Sequence, residues 1–172
     1  MNYESLLSYI VGFGSALVLF LFQDWWRRRD QKKKLAKVLE MEIQDIKNSL
    51  PDTLDSTKKI LEHAENLRGV WGVFLMYQKF DTHTYENLLK DLGVFKKETI
   101  EALRTFYSNL YPAEYWIREN QNVHRQTKAL VGEKKKRFRE LSKDFVRNYL
   151  KSLKKALGNA DSALIYLKKE YN

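Results

Sequence analysis

The side chains best suited to acid–base or metal chemistry in this chain are the acidic pairs Glu40/Glu42 and Glu62/Glu65 and the cluster Asp81, His83 and Glu86. Two carboxylates do general acid–base work when a cleft pushes their proton affinities apart. Both pairs fall on segments that read as solvated helix, with no sign of a cleft, so they are expected at the surface. Asp81, His83 and Glu86 bracket a helix start, where the positive end of the backbone dipole already favours carboxylates. The other histidines, His63 and His124, stand far off in sequence, and there is no cysteine. No set of ligands converges as a metal requires, and no metal or cofactor is expected.

Known catalytic signatures are missing too. No phosphate-binding Walker loop, dinucleotide fingerprint, Gly-Xaa-Ser-Xaa-Gly elbow or His-Glu-Xaa-Xaa-His pair occurs, and 7 Gly in 172 residues leave little for phosphate-cradling loops. The sequence assigns no catalytic residue and no enzyme. Lack of cysteine excludes disulfide stapling and fits a domain facing a reducing compartment. A net charge of +9 suits an anionic neighbour, either phospholipid head groups or nucleic acid.

The elements that position these groups are read from apolar spacing. Leu6 to Phe22 carries no charge and is flanked by Tyr3 on one side and Trp25 and Trp26 on the other. At about 1.5 Å per residue it covers about 25 Å, and the flanking aromatics extend it to the roughly 30 Å of a bilayer core. The tryptophans suit the interfacial aromatic belt, and Arg27, Arg28, Arg29, Lys32, Lys33 and Lys34 follow at once. Cations near a span stay in the cytoplasm, so the expectation is a single-pass cell-membrane protein with its N-terminus outside. The same cations are placed to hold anionic head groups. A cleavable signal peptide would carry its positive charge before the apolar stretch and small residues after it, the reverse of what is seen. A buried core helix apolar on all sides would need a larger core than this chain can build. Ser8, Gly12 and Ala16 recur every fourth residue, a small-residue face that lets two membrane helices pack closely.

Beyond the anchor, Ala36, Leu39, Ile43, Ile46 and Leu50 alternate spacings of three and four, the seam of a bundle or coiled coil. Pro51 is expected to end this helix, with Asp52 or Thr53 capping a second one that carries Leu54, Ile60, Leu61, Ala64 and Leu67 toward Gly69. If that helix returns toward the bilayer, the apolar run 70–77, with Trp71, Phe74 and Met76, lies near the membrane and either caps the core or touches head groups. Thr82 is expected to cap a short helix with Tyr85, Leu88, Leu89 and Leu92, closed by Gly93 in a left-handed conformation. A long helix starts near Lys96 with Ile100, Leu103, Phe106, Tyr107, Leu110, Tyr111, Ile117, Val123 and Leu130 inward, and Pro112 is expected to kink or restart it. After Gly132 a last helix places Phe138, Leu141, Phe145, Tyr149, Leu153, Leu157, Leu164 and Leu167 on one side. The last two helices form an antiparallel hairpin of about 45–50 Å. Its tip carries Lys134, Lys135, Lys136, Arg137 and Arg139, a solvated helix start that can dock an acidic partner; with Phe138 as its one aromatic it makes a poor nucleic-acid site.

The Arg-rich exit, Leu39-Glu40-Met41-Glu42-Ile43, the Thr82-to-Tyr85 helix start, Asp91-Leu92-Gly93 and the pair Phe106-Tyr107 resemble short patterns in prokaryotic single-pass membrane proteins. That resemblance implies an N-terminal span and a helical cytoplasmic domain, and no activity. The fold expected is all-α: an anchor over residues 1–26, a basic junction over 27–34 and an antiparallel helical bundle over 35–172. The function expected is a membrane-anchored interaction module that self-associates or holds a protein partner at the inner face. A membrane-active effector or channel component, and a membrane tether for nucleic acid, are the alternatives.

Overall fold

The computed structural model describes residues 3–66, 80, 82–127 and 132–171; the side chains of 3–12, 64–66, 127 and 135 lie outside that description. Within it the regular structure is entirely helical: α1 (Tyr3–Asn66), α2 (His83–Leu88), a 3₁₀ turn (Leu92–Val94), α3 (Lys97–Thr127) and α4 (Glu133–Lys168). The all-α bundle and its C-terminal hairpin stand as expected. α4 runs antiparallel to both long neighbours, bonding to α3 through Ser142 and Asn120 at one end and meeting Lys47 of α1 through Asp161 farther along. α1 and α3 therefore run in the same direction, each packed on α4.

Pro51 does not end α1, which continues to Asn66 with Pro51 exposed on its outer side. The expected second helix is the far part of the first. A proline inside a helix costs about 3 kcal/mol through its lost N–H and its ring clash. Against that, Leu50 and Leu54 on either side are buried, and each contributes about 1.5–3 kcal/mol. Thr53 and Thr57 are buried as well, so the inward face passes the proline without changing register. The Thr53 hydroxyl donates to the Ser49 carbonyl at 2.8 Å and the Ser49 hydroxyl to the Ile46 carbonyl at 2.8 Å, adding donors around the turn that Pro51 weakens. Because α1 never turns back at Pro51, the premise that would carry 70–77 toward the bilayer fails; that run itself lies outside the described residues. Pro112 is likewise exposed inside a continuous α3, with Leu110, Ala113 and Ile117 buried around it.

The core follows the expected stripes among the described residues, which leave out Leu130, except that Ile60 and Leu89 are exposed and α4 shows two changes. Leu141 is 41% exposed, and Ser142 and Val146 take the inward places beside Tyr149, Leu153 and Leu167. Ala156, Ala160 and Ala163 are fully buried, and their small side chains leave room for neighbouring backbones to come close. Asn120, also fully buried, donates its amide to the Ser142 hydroxyl at 2.8 Å and carbonyl at 3.2 Å. An amide at a core position fixes the register of two helices, since a slip strands it without partners.

Two turn expectations change. Gly93 sits in the 3₁₀ turn, and the positive-φ glycine among the described residues is Gly132, at φ 68° before α4. Thr82 makes no side-chain cap; its hydroxyl donates to the Glu86 carboxylate at 2.8 Å.

Replacing Pro51 with Ala restores a backbone donor where burial already holds the helix. The variant is expected to be more stable by about 2 kcal/mol, the helix gain less the unfolded-chain entropy that proline removes. Urea unfolding of the full-length chain in mild nonionic detergent checks it, and a lower midpoint would mean that Pro51 shapes α1 in a way the packing needs.

Candidate functional site

Where α1, α3 and α4 meet near Lys32, one carboxylate ties them together. The Glu170 side chain is fully buried. One of its oxygens accepts the Thr99 hydroxyl at 2.5 Å and the Lys96 backbone N–H at 2.9 Å, and the other lies 2.5 Å from the Lys32 ammonium. Burial alone would raise the Glu170 carboxyl, but the bonds from Lys32, Thr99 and Lys96 outweigh it and hold the group below its usual range. Beside it the Tyr171 hydroxyl donates to Glu40, which also lies 3.7 Å from the Lys168 ammonium. That bond to a carboxylate, with some burial, pushes the Tyr171 phenol up to about 12.

Farther along α1, Glu42 performs a second junction. This buried carboxylate accepts the backbone N–H groups of Thr84 at 2.7 Å and Tyr85 at 3.3 Å, together with the Tyr107 hydroxyl. The donors are the otherwise orphaned amides of the first turn of α2, so the cap that Thr82 was expected to supply comes from α1 instead. Tyr85 and Tyr107 stack with centroids 3.7 Å apart and planes within 9°. Burial first, and then the neighbouring Glu42, push the Tyr107 phenol far above its usual value, so it stays a donor. Glu40 and Glu42 are thus joints of the bundle, which corrects their expected place on a solvated surface.

The residues assigned to the membrane junction are largely exposed. Trp25 and Trp26 are 51% and 60% exposed and gather with Phe22, and the Arg29 guanidinium lies 5.4 Å above the Trp25 ring. Arg28 pairs with Asp24 at 2.9 Å and Lys34 with Asp30 at 2.7 Å, both across one helical turn. Arg27 is exposed and Lys33 half-buried, while Lys32 is committed to Glu170 and has a structural task. Of the small-residue face, Ala16 is exposed, and the side chains of Ser8 and Gly12 lie outside the described residues. Among the described residues no helix is long and apolar enough to cross a membrane; of the expected span, the side chains before Phe13 lie outside the description.

At the opposite end of the hairpin, Lys134, Lys136 and Arg137 are exposed and line an open depression of about 470 Å³ with Glu133 and Glu140. Arg139 is half-buried, and the Lys135 side chain lies outside the described residues. Asp81 is outside them too. Of the other two members of that cluster, the His83 ring bonds to Asn87 at 2.8 Å and Glu86 to Thr82, and no metal-holding cluster occurs among the described residues.

No family model, curated protein or solved structure matches the chain.

Removing either buried carboxylate leaves several buried donors without an acceptor, at about 1–3 kcal/mol for each stranded group. Glu42→Ala is expected to destabilise the bundle by about 3 kcal/mol, and coupling to Tyr107→Phe in a double-mutant cycle should exceed about 1 kcal/mol. Additive losses would mean that the Tyr107 bond contributes nothing. For Glu170 the prediction is one of pH. A carboxyl held below its ordinary 4.5 stabilises the fold above that pH and loses the contribution as pH falls through its folded value. Glu170→Gln should therefore be less stable than wild type at neutral pH, with the gap closing below about pH 4.5. A gap that stays constant on acidification would show that Glu170 is not held as a carboxylate.

Proposed function

We propose that the chain is a membrane-anchored, all-α interaction module: a single span with its N-terminus outside, continuing as α1 into a cytoplasmic bundle that self-associates or holds a protein partner at the inner face. The observation that carries this reading is an apolar helix surface that nothing else in the described chain covers. Phe13 is 74% exposed and Phe20 66%, and Leu17, Val18, Leu19, Leu21 and Phe22 between and beside them are each about half exposed or more. Consecutive residues cover every side of a helix, so a partner seated on one stripe would leave the rest in water. Hydrocarbon surrounds a helix completely. Farther along the same helix, Ala36, Leu39 and Ile43 are buried on one face only, which is the pattern of a helix leaving lipid for a bundle.

Orientation rests on the cations Arg27 to Lys34 behind the apolar stretch. Self-association rests on Ser8, Gly12 and Ala16, through close packing in the bilayer. Protein partners are assigned to the bundle surface and its basic tip.

Full-length protein expressed in bacterial cells is expected to stay with the membrane pellet through an alkaline carbonate wash and to float with lipid on a density gradient. Recovery as a soluble monomer without detergent would end this reading. If the small-residue face drives self-association, Gly12→Ile should lower the crosslinked dimer in membranes several-fold, while the chain remains in the pellet. Unchanged crosslinking would move the self-association surface elsewhere.

A further inference from the structure

Glu170 does more than close the bundle: it brings three stretches of lysine that are far apart in sequence onto one end. Its contacts place the end of α4 and the start of α3 level with Lys32, which stands about 9 Å along the helix axis from Trp26. Lys168 and Lys169 arrive with α4, Lys96 and Lys97 with α3, and Lys37 lies one turn farther on α1. All five are exposed. Their local partners leave the charges available. Lys97 is 85% exposed and 3.8 Å from Glu101, and Lys168 is 56% exposed and 3.7 Å from Glu40. Exposed pairs at such distances bind weakly. Lys169 lies over the Tyr166 ring, 5.0 Å from its centroid, and Lys37 over the Tyr171 ring at 5.9 Å, contacts that add no negative charge beside the ammonium.

We propose that this end of the bundle is a composite head-group surface, in which Lys96, Lys97, Lys168 and Lys169 join the cations of α1 in seating the domain upright on anionic phospholipid. The inference rests on the membrane-anchor reading above. With Trp26 at the interface, the base lies within about one screening length of the head groups, roughly 8–10 Å in ordinary salt. The tip cations Lys134, Lys136 and Arg137 are about 50 Å farther along α4, outside that range. Charge complementarity selects anionic lipid, since the head groups form a continuous negative sheet facing a ring of helix ends.

The test is amine labelling of the full-length chain in two kinds of nanodisc, one of phosphatidylcholine alone and one also containing phosphatidylglycerol, read lysine by lysine by mass spectrometry. A surface potential of about −30 mV raises the proton affinity of a nearby amine by about half a pH unit, which slows its labelling about threefold. That slowing is expected at Lys96, Lys97, Lys168 and Lys169 in the anionic discs and is expected to vanish near 1 M salt, where the screening length falls to about 3 Å. Lys151 and Lys154, exposed on α4 about 25 Å from the base, should label equally in both discs. Equal labelling of the four base lysines in both discs would overturn the proposal, as would slowing that persists at high salt. Failure of the chain to enter either disc would instead overturn the anchor.

Discussion

A carboxylate taken out of water must find donors, and Glu170 finds them on three elements at once. Its partners are Lys32, Lys96 and Thr99, so closing this one site brings the start of the bundle segment of α1, the start of α3 and the end of α4 to the same level. An apolar seam tolerates a slip of one turn at modest cost, because leucine meets leucine again. A buried carboxylate does not, because its donors stay behind. Glu42 repeats the arrangement one level along, holding the first turn of α2 against α1 and Tyr107 of α3. Asn120 with Ser142 does so toward the far end of the hairpin. The apolar residues supply the bulk of the folding energy, and these polar junctions choose among the alignments that energy would allow.

Much of the architecture was legible from spacing. The seam from Ala36 to Leu50 lies inward, as do the described stripes of α3 and α4, apart from exposed Leu141 and half-buried Phe138 and Phe145. The proline expectations failed because local rules weigh a lost hydrogen bond without the leucines on either side of it. A clue lay in the sequence: Leu50, Leu54, Thr57 and Leu61 keep the spacing of the seam across Pro51, which a true helix stop has no reason to preserve. The carboxylate junctions were illegible for a different reason. The donors to Glu42 come from 42 to 65 residues away, and those to Glu170 from at least 71. No local rule reaches that far. Yet Glu42 falls three residues after Leu39 and four before Ile46, and Glu170 three after Leu167, which are core spacings. A charge at a core position signals a buried partner, and for Glu42 that signal was present although the pair Glu40/Glu42 was expected at the surface.

The two kinds of ion pair in the chain differ in what they can decide. Arg28 with Asp24, Lys34 with Asp30 and Lys59 with Asp55 each span one exposed turn of α1. Such pairs add a few tenths of a kcal/mol to a helix and set nothing beyond it. Lys32 lies among them in sequence and differs only in its partner, which is fully buried. Composition alone would count it with the other cations of the basic run, but geometry ties it to Glu170 and makes it part of the joint between α1, α3 and α4.

Continuity of α1 then determines how the proposed anchor and the bundle are related. A helix that leaves a bilayer through a flexible linker lets its domain tumble, and charges on that domain meet the head groups only by chance. Here the same backbone runs from the exposed apolar stretch into the core, with no break among its described residues, and Glu170 fastens the other helices to it within about two turns of Trp26. Rotation of the anchor about its axis is therefore rotation of the whole bundle. The small-residue stripe of the proposed anchor and a face of the bundle have a fixed angular relation along one helix, so two copies packed through Ser8, Gly12 and Ala16 would present defined bundle faces to each other. Specificity in such an assembly needs no second recognition element in the membrane, because the angular setting is carried by α1 itself.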